Sequence, residues 1–158
     1  MSGRFGILGT RLGKHACMLN AVPLNKAVER QRIIDSFKAQ NIPAAEQAEV
    51  MEALDATDWD WFVDCDGCTC VSEFTWPTLY FPPCLRHDYD CIRGLGGLAA
   101  QKRFYRLNVA YGMPPFRAWI RAAGVSIAWY TVMKWRDYPL QPKSQAAAEA
   151  CMRRLARK

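Results

Sequence analysis

Cys84, His87, Asp88 and Cys91 lie within eight consecutive residues, CLRHDYDC. Their i, i+3, i+4, i+7 spacing puts all four on one face of a helix. Just upstream, DCDGCTC (64–70) adds three cysteines and two aspartates in a chain that has only two histidines. An imidazole titrates near neutrality and serves as a general base; thiolates and imidazoles bind zinc; carboxylates bind hard cations. Three arrangements use these residues. Cys65, Cys68, Cys84 and His87, paired at C-x2-C and C-x2-H spacing, supply four tetrahedral zinc ligands. Alternatively His87 is a base, the aspartates hold a cation and a cysteine pair is a structural clip. The third is a purely structural His87–Asp88 pair inside a helix hairpin. Zinc leaves Asp66 and Asp88 without a role; the second arrangement employs them.

Such a cluster needs a helix under it and a partner helix beside it. Pro82 and Pro83 suit a first helical turn, and the glycines of GLGG (94–97) suit a C-cap, so a helix is predicted to about Arg93. A partner helix follows from Leu98 to about Tyr111, closed by GMPP, and a third runs from near Pro115 to about Trp135. Upstream, Asn25 can cap a helix over 26–40 whose Val28, Ile33, Ile34 and Phe37 lie near one face. An acidic helix over 44–56 presents Val50, Met51 and Leu54, and TDWDWFV (57–63) reads as an extended approach. Residues 64–83 read mostly as loop, residues 1–24 as an extended arm containing the exposed, inert His15, and 144–158 as a polar helix with a basic end. The expected architecture is mostly α: arm 1–24, two helices in 25–57, a core over 58–136 and a basic helix in 137–158. Trp119, Trp129 and Trp135, near helical spacing, are expected in the core.

The 158 residues suffice for one domain with a real core, and the 51% apolar share fits a packed globular chain. Net charge is +6: residues 43–66 are acidic, whereas Lys and Arg dominate from Lys102 onward. That asymmetry favours anionic partners, whether phospholipid, nucleic acid or acidic protein. No run of about 18 apolar residues is free of charge, since Arg117 and Arg121 interrupt the best candidate, and the N-terminus does not read as a secretory signal. Seven cysteines without a signal argue for a reducing compartment or another export route, and the odd number leaves a thiol free or paired between chains.

DGCTC, an aromatic and proline-rich loop, then CLRHDYD resembles the active-site segment of bacterial secreted phospholipases A2. There an Asp-Gly-Cys loop precedes a helix bearing Cys-x-x-His-Asp. A second likeness, over roughly 61–135, is to a family of small phage-encoded proteins of unsettled function. WFVDCDGCTCV, LRHDYD, AAQKRFY and GMPPFRAWIRAAGVSIAWYTVMKW follow that family's order of segments.

The resemblance implies an antiparallel helix pair with a cysteine-rich loop and flanking helices. It implies His87 as the base that activates water against a lipid ester, calcium held by Asp66, the Gly67 carbonyl and Asp88, and a Cys68–Cys84 clip. The aromatic run Trp76, Tyr80 and Phe81 reads either as a lipid-contacting rim or as a cover for the core or a contact with a protein partner. The families also place an aspartate on the second helix, three residues before a phenylalanine, to accept a ring N–H of the histidine. This chain has Gln101 there, in AAQKRFY, with Asn108 further along the same face as the other neutral candidate. A neutral amide accepts a hydrogen bond but does not stabilise imidazolium as a carboxylate does. Tyr89 and Tyr105, nearby, supply no charge. The expected function is therefore either calcium-dependent lipid hydrolysis weakened at Gln101, in a phage-type protein, or a non-catalytic tail or virion assembly component. A zinc-stabilised interaction domain is the third option. Expected partners are other phage structural proteins, a phospholipid membrane or further copies of the chain, with nucleic acid not excluded. Expected locations are the virion, or the host cytoplasm during assembly.

Overall fold

The computed structural model describes residues 25–65 and 81–133, together with Ser144, Ala146, Glu149 and Arg153. Among the described residues these α-helices follow one another: α1 Lys26–Ala39, α2 Ala44–Asp55, α3 Trp61–Asp64, α4 Phe81–Ile92, α5 Leu98–Ala110 and α6 Pro115–Ala128. A π-helical turn, Trp129–Met133, extends α6, and there is no strand among the described residues. Helix α5 packs against both α4 and α6, and α2 packs on α4.

Local sequence sets the helix ends. Asn25 Oδ1 accepts the Ala27 and Val28 amides at 2.9 and 3.4 Å, capping α1. Three helices stop in the same way. Asn41, Gly94 and Gly112 take left-handed φ values of 52°, 73° and 83°. The amides that follow them return to Phe37, Asp90 and Asn108 carbonyls at 2.9, 2.8 and 2.9 Å, each a Schellman closure. Glycine tolerates this conformation without a Cβ clash, and asparagine is the usual substitute. The turn after α4 is what reverses the chain so that α5 returns alongside it.

The predicted extended approach at 57–63 is replaced at its end by the single turn α3. Asp60 Oδ1 accepts the Phe62 amide at 3.1 Å, and Asp64 Oδ2 accepts the Asp60 amide at 2.8 Å. Reciprocal bonds from the Asp60 and Asp64 carboxylates to these two N-terminal amides make a turn where alternation suggested an extended run. Asp64 also accepts from Ser144, N–H to Oδ1 at 2.8 Å and hydroxyl to Oδ2 at 2.5 Å. That places residue 144 against α3.

Ile33, Phe37, Val50, Leu54, Trp61, Leu85, Leu107 and Tyr111 form the centre of the core. Two expectations fail for angular reasons. Val28 is 42% exposed; at about 100° per residue it lies roughly opposite Phe37, and Glu29 takes the inward position instead. Trp119 is 61% exposed whereas Trp129 is buried, because Trp129 continues the inward stripe of Ala118 and Ala122. Trp135 lies outside the described residues. Trp129 covers Gly96 so closely that a Cβ there would sit 2.4 Å from its ring, so glycine is required at 96 by close approach.

Candidate functional site

Helix α4 presents His87 toward α5. The imidazole packs on Phe104 of α5 (centroids 4.9 Å apart), and the Cys91 thiol lies 3.8 and 3.9 Å from Nδ1 and Nε2. Gln101, one turn before Phe104, is buried beside it. Its Nε2 donates to the Gly96 carbonyl at 2.9 Å, which fixes the amide's orientation. Its Oε1 is buried and meets no partner in hydrogen-bond geometry, and the side chain lies near enough to His87 to hold the ring's pKa up. The sequence pairing of His87 with Gln101 is thus a spatial one, although the contact falls short of an aligned hydrogen bond.

Burial pushes the His87 pKa down to about 4, and the Gln101 side chain offsets only part of that shift. The ring keeps a partial surface, but its nitrogens lie among the Phe104 ring, the Cys91 sulfur and an amide. His87 is consequently a neutral imidazole at pH 7. The sign for stability follows: below about 6.5 the unfolded chain takes a proton that the folded chain refuses until about pH 4. Stability is therefore complete above that range and falls as pH drops through it, by up to about 3 kcal/mol. Urea midpoints at pH 7.5 and 4.5 should converge in His87→Gln relative to wild type; an unchanged difference between the two pH values contradicts the assignment.

Asp88, next along α4, is buried and accepts from the Cys65 thiol at 3.2 Å. Cys65 immediately precedes Asp66, so the chain leaves α3 for the Asp66–Gly67 segment from a point touching Asp88. Asp66, Gly67, Cys68, Trp76 and Tyr80 lie outside the described residues. Phe81, read either as a contact rim or as a cover for the core, is buried at the start of α4. Cys84 is disulfide-bonded, with its partner outside the described residues. A bonded sulfur is not a thiolate, so Cys84 does not serve the four-ligand zinc set in this state. Cys65 and Cys91 are buried thiols. Burial, then Asp88 and Asp90, push the Cys91 thiol well up, keeping it protonated. No group of three or more His, Cys, Asp or Glu arranged to hold a metal occurs among the described residues.

Asn108 is not a partner of His87. Its amide donates to the Phe104 carbonyl at 2.7 Å and its oxygen accepts from Arg121 of α6 at 3.1 Å. Tyr89 points away from His87, packing on Trp59 at 5.1 Å and under the Arg86 and Arg93 guanidiniums.

The adjoining face of α4 holds a cluster that lies outside the motif. Asp90 is fully buried between Arg86 (Nη2, 3.2 Å) and Arg103 of α5 (Nη1, 2.5 Å). Arg86, itself buried, reaches Glu52 of α2 at 3.0 Å, and Arg93 reaches the same carboxylate at 3.4 Å. Arg106 binds Glu46 and Glu49. The acidic segment and part of the basic segment are therefore each other's partners. The signal was present as Arg86 and Asp90 at i, i+4, but the third and fourth members lie far away in sequence.

This cluster clamps α2 and α5 onto α4, and the adjoining face carries His87. No helix among the described residues is long and apolar enough to cross a membrane. No protein-family model matches the chain, and comparisons with curated proteins and with solved structures likewise return no match.

Proposed function

We propose that the protein carries a phospholipase A2-like site in which His87 promotes slow, calcium-dependent hydrolysis of a phospholipid ester, in a phage-type protein acting at a host membrane. The observation that carries the reading is the meeting of His87 and Gln101 across the α4–α5 hairpin. This is the pairing the resemblance requires, with an amide in place of the carboxylate.

A neutral imidazole can take a proton from water, as a general base must. His87 is held in place by Phe104 and the α4 backbone, and Gln101 by Gly96. Asp88 is the one calcium donor of the expected set within the described residues. Its carboxylate suits a hard cation, and Asp66 and the Gly67 carbonyl would complete the set from the adjoining segment. Calcium held there would supply positive charge for the ester's phosphate and developing oxyanion.

The test is release of fatty acid from a labelled phospholipid by the purified chain, with calcium or with chelator. Calcium-dependent release that His87→Ala abolishes is expected; release unchanged in His87→Ala, or absent from wild type, overturns the reading. One observation favours a second reading, a non-catalytic particle or assembly component. Burial to a pKa of about 4 beside a neutral amide leaves an imidazolium without a counter-charge, which is tolerable for a structural histidine and costly for a base.

A further inference from the structure

Helix α6 is apolar on two opposite faces. One face buries Ala118, Ala122 and the following Trp129 against the rest of the molecule. The other carries Phe116, Trp119, Ile120 and Ile127, which are 70%, 61%, 49% and 65% exposed. A helix apolar all round is stable only with apolar material on both sides. Leu98 of α5 and Tyr130, 59% and 43% exposed, enlarge the outward patch. Between α5 and α6 the patch dips into a cavity of about 290 Å³, lined by Leu98, Lys102, Tyr105, Trp119 and Ala123 among others. That volume is near the lower end for ligand pockets, enough for one slender apolar chain.

The two helices that form this surface, α5 and α6, carry charges of one sign. From Cys91 to Arg136 the chain holds eight Lys and Arg and no Asp or Glu. Arg93, Arg103 and Arg106 are occupied by acids of α2, α4 and the α2–α3 connection, and Arg121 turns inward to Asn108. Lys102 at the cavity and Arg117 on α6 are exposed beside the apolar residues. Aromatic and aliphatic side chains that protrude from a single helix, flanked by cations, match the interior and head groups of an anionic lipid layer. Two copies meeting through this face would oppose like charges, which disfavours self-association.

We infer that the outward face of α6, with Leu98 and Lys102 of α5, docks the protein on a bilayer containing anionic phospholipid. Phe116, Trp119, Ile120 and Ile127 enter the interface, Lys102 and Arg117 meet head-group phosphates, and the α5–α6 cavity accepts one protruding acyl chain. Docking does not depend on hydrolysis at His87, and needs no calcium.

The experiment is co-sedimentation of the full chain with phosphatidylcholine vesicles, with and without phosphatidylglycerol, in the presence of chelator. Binding is expected to the phosphatidylglycerol vesicles and to weaken with salt. Trp119→Ser/Ile127→Ser should bind about tenfold more weakly or worse while keeping its helical circular dichroism. Lys102→Glu/Arg117→Glu should lose the preference for anionic vesicles. Equal partition of the Trp119→Ser/Ile127→Ser variant overturns the inference. So does absence of vesicle binding in a wild-type chain that forms a dimer broken by that variant, or in one that stays monomeric. Vesicle binding without fatty-acid release would leave this inference standing and remove only the hydrolytic reading.

Discussion

Gln101→Glu should raise calcium-dependent phospholipid hydrolysis by about 10²-fold or more, and should lift the His87 pKa from about 4 toward or above its ordinary value of 6.5. The side chain already reaches the imidazole from α5, and glutamate keeps its length, so the change adds a charge without moving the contact. A carboxylate stabilises imidazolium and fixes the ring tautomer; in serine proteases the reverse exchange costs about 10⁴ in rate. The full factor is not expected. Gln101 is 2% exposed, so glutamate is desolvated there, and the Gly96 carbonyl loses the donor that Nε2 provides. The unpaired carbonyl should lower stability by about 1–3 kcal/mol. Initial rates of fatty-acid release and a thermal melt, compared with wild type, check both parts. A variant that folds, but is no faster than wild type, would mean that the amide is not what limits the site.

Asp90→Ala should be among the most damaging single substitutions in the chain, costing about 3–5 kcal/mol. The carboxylate is fully buried between two guanidiniums. Burial raises its own pKa despite both arginines, so the ion cluster as a whole is not a large source of stability. Removing one member is a different matter. Arg86, 3% exposed, would retain only Glu52, whose side chain is about half exposed. Replacing the pair together, Arg86→Met/Asp90→Leu, removes the uncompensated charge and should recover most of the loss. Chemical denaturation of the two singles and the double gives the coupling directly. A cost below about 1 kcal/mol for Asp90→Ala would contradict the clamp.

The hairpin that positions the candidate site could be read from local signals. Pro82–Pro83 and Gly94 bound α4 between them, Leu98 opens α5 and the glycine of GMPP closes it, because caps and breakers act within one turn of themselves. The His87–Gln101 meeting came from resemblance and not from periodicity, and the hairpin geometry is what gives it substance. What local reading missed depends on distant partners. Arg86 and Asp90 look like a solvated i, i+4 pair until Glu52 and Arg103 are brought to them by the packing of α2 and α5. The charge asymmetry pointed to an external anion, yet Glu46, Glu49 and Glu52 take up several of the basic residues internally. Trp119, expected in the core, faces outward. Composition has no means of telling which apolar face of α6 the core will take.

The most direct test is NMR titration of the His87 ring in wild type and in Gln101→Glu, in a chain with only one other histidine. A ring neutral down to about pH 4 in wild type and a marked upward shift in the variant are expected. A wild-type pKa near 6.5 that Gln101→Glu leaves unmoved would mean that His87 does not look onto residue 101, and the proposed site would lose its basis.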